Sequence, residues 1–219
     1  MIELYFGPGA CSFVPHAALE IVKAATGHDF VAHPVKLHKG EQRAPEYLAL
    51  NPNGQVPTLV VDGKPLTQIV AICDWIDRRF PQAGLLPTES WARAEAMSRF
   101  AWMNNTVHPT FTHVFMPDRF TDDASAQASI KAFAIVQYRK YLERIQQWVA
   151  EAGDGFLLGE RLSLLDLYSL TLLRWGGFAG IDPDTLPKLW AHVQRVAQQP
   201  PVAAAIERER LKLNVYRKD

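Results

Sequence analysis

Residues 51–63 read NPNGQVPTLVVDG, and the local chain path can be taken from them directly. Thr58 to Val61 is a short β-branched and apolar run, the composition of a strand. Asp62-Gly63 follows at once. This pair is a favoured two-residue hairpin turn, because both residues tolerate positive φ. Pro65 to Gln68 then reads as the returning strand. Upstream, Val56-Pro57 places a residue without an N–H at the strand's start, and Asn51 and Gly54 suit the turn that leads into it.

The elements on either side of the hairpin fit the same sheet. Downstream, Ile69, Ile72, Cys73, Ile76 and Phe80 fall at helical spacing until Pro81 stops the run. At the N-terminus, Ile2, Leu4 and Phe6 alternate with Glu3 and Tyr5, as in a strand. A helical run with Phe13, Val14, Ala17, Ala18, Ile21 and Val22 opens at Cys11 or Ser12 and ends near Gly27. "DFVAHPVKL" (29–37) reads as a second strand, and its Pro34 pushes that strand toward a sheet edge. Strand, helix, strand, irregular segment, hairpin and helix together predict an α/β domain with a mixed sheet and helices on its faces.

Composition changes near residue 81. "PQAGLLPTES" (81–90) has two prolines, a glycine and a capping serine, which suits a linker. Beyond it, helical patterns run over Ser90 to Phe115, Asp123 to Ala152, Ser163 to Ala179 and Leu186 to Gln198, with a short one after Pro201. The expected division is 1–81, a linker at 82–90, and an all-α domain at 91–219. Ser163-Leu164-Leu165-Asp166 is a capping box, flanked by Leu162 and Leu167 at the staple positions. Pro109 cannot donate to the carbonyl four residues back, so the first long helix should kink there.

Whole-chain quantities exclude several function classes. The 219 residues carry 23 Lys+Arg and 23 Asp+Glu, which gives no electrostatic reason to expect nucleic acid or an acidic membrane as partner. Two cysteines, Cys11 and Cys73, are too few for a secreted disulfide scaffold. "MIELYF" has no basic segment leading an apolar one, so no signal peptide is expected, and no run is long enough to span a bilayer. The expectation is a soluble cytoplasmic protein.

Cys11 sits in "YFGPGACSFVPH" (5–16), at the junction of the first strand and the first helix. Free N–H groups and the helix dipole favour an anion there, so a stabilised thiolate is expected. Three residues on stands Val14, so no local disulfide can form. The residues alone leave Cys11 as either a reactive thiol or a small buried side chain. His108 and His113 lie in "NNTVHPTFTHVFMP" (104–117). Five residues apart they share no helix face well, so no metal site is expected. Phe111, Phe115, Tyr168, Trp175 and Phe178 are either core or the wall of an apolar pocket.

Four stretches carry a family resemblance: "YFGPGACSFVPH", "NPNGQVPTLVVDG", "LTQIVAI" (66–72) and "SLLDLY" (163–168). Together, in this order, they resemble the cytosolic glutathione transferases, most closely the bacterial beta class. The resemblance implies a thioredoxin-like N-terminal domain that binds glutathione, an all-helical C-terminal domain, and a homodimer. It implies that Cys11 contacts the glutathione sulfur and can form a mixed disulfide with it. Pro57 would be cis, turning the Val56 N–H and C=O outward to pair with the cysteinyl part of glutathione. Gln68 would accept from the ligand's ammonium. Ile69 stands where the family usually has serine, so only backbone N–H groups would hold the γ-glutamyl carboxylate there. Lys39 either reaches the glycine carboxylate or is solvated. His108 is matched to the histidine that faces the thiol, with His113 as its competitor.

The expected function is conjugation of the glutathione thiol to small apolar electrophiles, with no metal. Thiol–disulfide exchange through Cys11 is a variant of it. The alternative is an interaction protein that keeps the fold and binds glutathione weakly, the reading toward which Ile69 points.

Overall fold

The computed structural model describes residues 1–218. The chain divides into two compact units, one of Met1–Leu86 with Ala197–Leu211 and the other of Pro87–Val196 with the residues from Lys212 on.

In the first unit, β1 (Ile2–Phe6), β2 (Val31–Pro34), β3 (Thr58–Val61) and β4 (Lys64–Thr67) form one sheet in the order β2-β1-β3-β4. β1 runs parallel to β2 and antiparallel to β3, which pairs antiparallel with β4. The sheet is mixed as expected, and the strand carrying Pro34 lies at its edge. Asp62 and Gly63 have φ of 49° and 80°, so the hairpin turn has the positive φ at both positions that its sequence predicts. Helices α1 (Phe13–Thr26), α2 (Pro45–Leu48) and α3 (Ile69–Arg79) complete this part of the unit.

Every residue of α1 from Phe13 to Val22 is buried, His16 and Glu20 included. A helix apolar on one broad face should keep a wet side, so something must cover the rest of α1. Part of the cover is α3, and part is α9 (Pro200–Glu209), a helix from the far end of the chain. On the apolar face of α3, Ile72, Cys73 and Ile76 are fully buried.

The second unit is helical: α4 (Ser90–Trp102), α5 (His108–Phe115), α6 (Ala124–Ala152), α7 (Leu164–Gly176) and α8 (Pro187–Ala197). α7 is its centre, with Leu164, Leu165, Leu167, Tyr168, Leu170 and Leu172 all at 0% exposure. The capping box is formed, and Asp166 does more than cap. Its carboxylate accepts from the Ser163 N–H and hydroxyl and from the Leu157 N–H, and it pairs with His192 Nε2 at 3.0 Å. Leu157 is thereby tied down together with the helix start.

The first long helix departs from a simple proline kink. Between α4 and α5, Met103–Val107 forms a π-helical turn, in which the His108 N–H reaches back five residues to the Met103 carbonyl. A wide turn just before Pro109 absorbs the missing donor without ending the helix. α7 stops at Gly176, and Gly177–Ala179 continues as a tighter turn. Among the described residues no helix is long and apolar enough to cross a membrane.

Candidate active site

In the first unit the loop between β1 and α1 is the chemically distinctive feature. It is internally fastened. Ser12 is fully buried, its hydroxyl accepting from the Gly7 N–H at 3.0 Å and lying 3.2 Å from the Gly7 carbonyl. That hydroxyl is therefore committed to the loop and does not serve a ligand. Gly7 itself has no room for a side chain, since a Cβ there would lie 2.8 Å from Leu37 Cδ1 and 3.2 Å from Val56 Cγ2. The same close approach brings Val56 and the turn Leu37–Lys39 alongside the loop.

Cys11 is half-buried, and its thiol donates to the Val56 carbonyl at 3.5 Å. The Val56–Pro57 peptide is cis. The turn before it is held by Tyr47 and Asn51. The Tyr47 hydroxyl donates to the Gln55 carbonyl at 2.6 Å, and Asn51 Nδ2 donates to the same oxygen at 2.7 Å. Both side chains also reach Thr58 Oγ1.

The expectation of a stabilised Cys11 thiolate is corrected here. Its own N–H and that of Ser12 do favour the anion, as a helix start should. Burial outweighs them, the Glu209 carboxylate adds repulsion, and the pKa is pushed up to about 12. At neutral pH Cys11 is a thiol, a donor rather than an anion. Alkylation of the unliganded protein by iodoacetamide should therefore run on the order of a thousandfold slower than for a free cysteine at the same pH. The rate should climb about tenfold per pH unit from 7 to 10, because the reactive thiolate is still the minor form throughout that range. A plateau near pH 8 would contradict this assignment. Cys73 is fully buried and its thiol is also pushed up by burial, so it should label only after unfolding.

Glu209 ends α9 and was not singled out by the sequence. Its Oε2 accepts from the Gly9 N–H at 2.8 Å, and its Oε1 lies 2.7 Å from His16 Nδ1. Both side chains of this pair have 0% exposure. The last helix of the first unit thus holds the loop that carries Cys11.

Gln68 follows β4, and Thr67 is in register with Thr58. The Gln68 backbone has φ 73° and ψ 122°, an unusual conformation for a non-glycine residue, of the kind concentrated at ligand clamps. Ile69 is 4% exposed. Its side chain belongs to the core, which leaves only its main chain available. The first α3 hydrogen bond closes from the Ile72 N–H to the Gln68 carbonyl, so the amides just before Ile72 form the open helix start. Lys39 is exposed. The structure thus brings Cys11, Val56, Pro57 and the Leu37–Lys39 turn to one loop cluster, with Gln68 and Ile69 one strand away.

The histidines differ. His113 Nδ1 donates to the Pro109 carbonyl at 2.7 Å and the ring stacks on Phe120 at 3.9 Å. His108 is half-buried, its Nδ1 is 2.9 Å from the Tyr168 hydroxyl, and its ring lies 4.8 Å from that of Trp175. Desolvation pushes its pKa down to about 4, so the ring is neutral at pH 7. The aromatic residues divide between the two readings. Phe111, Tyr168 and Trp175 are buried, whereas Phe115 and Phe178 pair at 5.8 Å with 56% and 48% exposure. His33 is paired with Glu3 at 2.9 Å and stacked on Tyr5. Among the described residues no cluster of three or more His, Cys, Asp or Glu side chains could hold a metal.

Known proteins are similar to this chain along nearly its whole length. Residues 2–78 match the glutathione S-transferase N-terminal domain family, and residues 105–209 match the glutathione S-transferase C-terminal domain family. Glutathione S-transferase GstA of Escherichia coli O157:H7 is 32% identical over 216 residues, covering 96% of this chain and 100% of the relative. A crystallised glutathione transferase homologue from Sulfitobacter, with bound glutathione, superposes with a TM-score of 0.87 at 27% identity, covering 96% and 99% of the two chains. The bacterial beta class glutathione S-transferase of Sphingomonas chungbukensis gives a TM-score of 0.78 at 32% identity, covering 94% and 98%.

Proposed function

Because the chain belongs to the glutathione S-transferase family, we propose that it joins the thiol of glutathione to small apolar electrophiles, with Cys11 at the sulfur. The observation that carries this reading is the Cys11 thiol itself, held neutral beside the Cys11 and Ser12 N–H groups and against the Val56 carbonyl. The thiol gives its one proton to the Val56 carbonyl and the two N–H groups bear on the Cys11 sulfur, so this sulfur is uncharged. A ligand thiolate can stand beside a neutral sulfur, where a second thiolate would repel it.

The rest of glutathione follows from the neighbouring groups. The Val56 main chain takes the cysteinyl part as an added strand. Gln68 accepts from the γ-glutamyl ammonium, and the open amides at the start of α3 take its carboxylate. Lys39 takes the glycine carboxylate. With Ile69 buried, no hydroxyl assists at α3, which costs roughly 1.5–3 kcal/mol, or about ten- to a hundredfold in affinity. The exposed pair Phe115 and Phe178 is an apolar surface patch of the second unit. A homodimer is supported by exposed Trp91, Phe133 and Val136, at 71%, 68% and 53%.

In the reaction the glutathione S–H gives up its proton, the sulfur pair bonds to the electrophilic carbon, and the leaving group departs with its electron pair. Disulfide exchange through Cys11 would need that residue's own thiolate, and burial works against it.

Retention on immobilised glutathione and turnover of chlorodinitrobenzene test the reading together. The expected result is retention with micromolar to millimolar affinity and measurable conjugation, with Cys11→Ala lowering kcat more than it raises KM. Clean flow-through with no conjugate would favour the interaction-protein reading. A stable glutathionyl adduct on Cys11, with turnover of mixed disulfides only, would favour exchange.

A further inference from the structure

Gly177 is a glycine by close approach and not by conformation. Its φ of −60° and ψ of −35° are values that any residue adopts in a helix. A Cβ placed on it would lie 2.6 Å from the Tyr216 N, 2.9 Å from the Val215 carbonyl carbon and 2.8 Å from Val215 Cγ2. Two of these three neighbours are main chain, which cannot swing aside as a side-chain tip can. One turn earlier, Arg174 Nε donates to the Lys212 carbonyl at 2.8 Å. The end of α7 and the turn after it thus form a dock, and the segment Lys212–Tyr216 lies on it.

The chain reaches this dock by a built turn. Arg210, with φ 54°, ends α9 in the left-handed conformation. Its N–H donates to the Glu207 carbonyl and the Leu211 N–H to the Ile206 carbonyl, both at 3.0 Å. This is the paired closure of a Schellman motif, a place usually given to glycine. It turns the chain off the helix axis just before Lys212.

The consequence concerns α9, which belongs to the first unit although the segments on either side of it belong to the second. Upstream, Val196 is fully buried in the second unit. Downstream, the dock holds Lys212. Ala197–Leu211 is therefore a loop tied at both ends to the second unit. We propose that the segment Lys212–Tyr216, docked on Gly177 and Arg174, is a clasp that keeps α9 seated on α1. A helix that leaves α1 with both ends tied has few alternative positions, so it returns readily. With the dock lost, α9 is tied to the second unit at its Ala197 side alone, and its excursions grow. Glu209, which holds the Gly9 N–H, stands directly before the turn. The loop that carries Cys11 thus answers to a contact made on α7.

The test uses trypsin, alkylation and amide exchange on the full-length protein. Lys212 is exposed, but its carbonyl, the one trypsin must attack, is held by Arg174. The folded wild type should therefore be cut after Lys212 only slowly. Gly177→Val should raise that rate at least about tenfold, and so should Val215→Asp, which leaves α7 unaltered. In both variants Cys11 should alkylate about fivefold faster at pH 8, and amide exchange at Gly9 should quicken while the β1 amides do not change. Alanine in place of a helical glycine ordinarily stabilises a protein. Gly177→Ala should instead lower the urea midpoint, because the new Cβ displaces the segment.

Rapid cleavage of the wild type after Lys212, or a raised midpoint in Gly177→Ala, overturns the dock. Faster cleavage in the variants with Cys11 and Gly9 unchanged overturns the clasp. An effect of Gly177→Val that Val215→Asp does not share would trace to damaged packing of α7, and it too overturns the proposal. If Gly177→Val fails to fold, Val215→Asp decides alone, since it alters only a half-buried side chain of the segment itself.

Discussion

Asp166→Ala is expected to destabilise the protein by about 3–5 kcal/mol, enough to threaten folding of a domain of ordinary stability. The size follows from what the carboxylate leaves behind. A lost helix cap alone costs about 1 kcal/mol. Here the Leu157 and Ser163 N–H groups lose their acceptor in a buried site, and His192 loses its partner. Urea unfolding should show a lower midpoint with an unchanged slope. Asp166→Asn keeps one acceptor oxygen and should cost clearly less. A loss below about 1 kcal/mol for the alanine variant would mean that water replaces the carboxylate and that the network is dispensable.

Glu209→Leu should match it in size, at about 3–5 kcal/mol, because a buried partner is removed from His16 and from the Gly9 N–H together. Its second effect is local. With Gly9 released, the loop should open more often, and amide exchange at Gly9 should quicken well beyond that of the β1 amides. Cys11 should also alkylate faster, as access improves and the repelling carboxylate is gone. Unchanged Gly9 protection in a folded Glu209→Leu protein would show that Ser12 and Gly7 hold the loop unaided.

What the sequence discloses and what it hides divide along sequence distance. The hairpin at Asp62-Gly63, the edge position of the Pro34 strand and the capping box at Ser163 are short-range patterns, and each is present in the structure. Pro109 signals a disturbed helix, but a missing donor does not say how the chain will respond. The response here is a wide turn that begins at Met103, before the proline. The site is legible only in part. Cys11 was expected at a helix start and lies there, yet its acidity depends on burial and on Glu209, which is 198 positions away in sequence. Ser12 reads as an available hydroxyl until its bonds to Gly7 are seen. Tyr168 reads as one aromatic among several at helical spacing, and only its contacts with His108 and Asn104 separate it from the core.

The pairing of α9 with α1 also has a consequence for biosynthesis. A ribosome releases the sheet, α1 and α3 first, but the helix that covers the remaining side of α1 follows only after Pro87–Val196 has been made. At typical elongation rates the stretch from Pro87 to Glu209 takes on the order of ten seconds to make. For that interval the nascent first unit exposes an apolar flank and a histidine without its carboxylate, a surface suited to chaperones. The thiol loop therefore matures only once α9 has been made. A message broken before codon 209 yields a chain that carries Cys11 without the support that sets its chemistry.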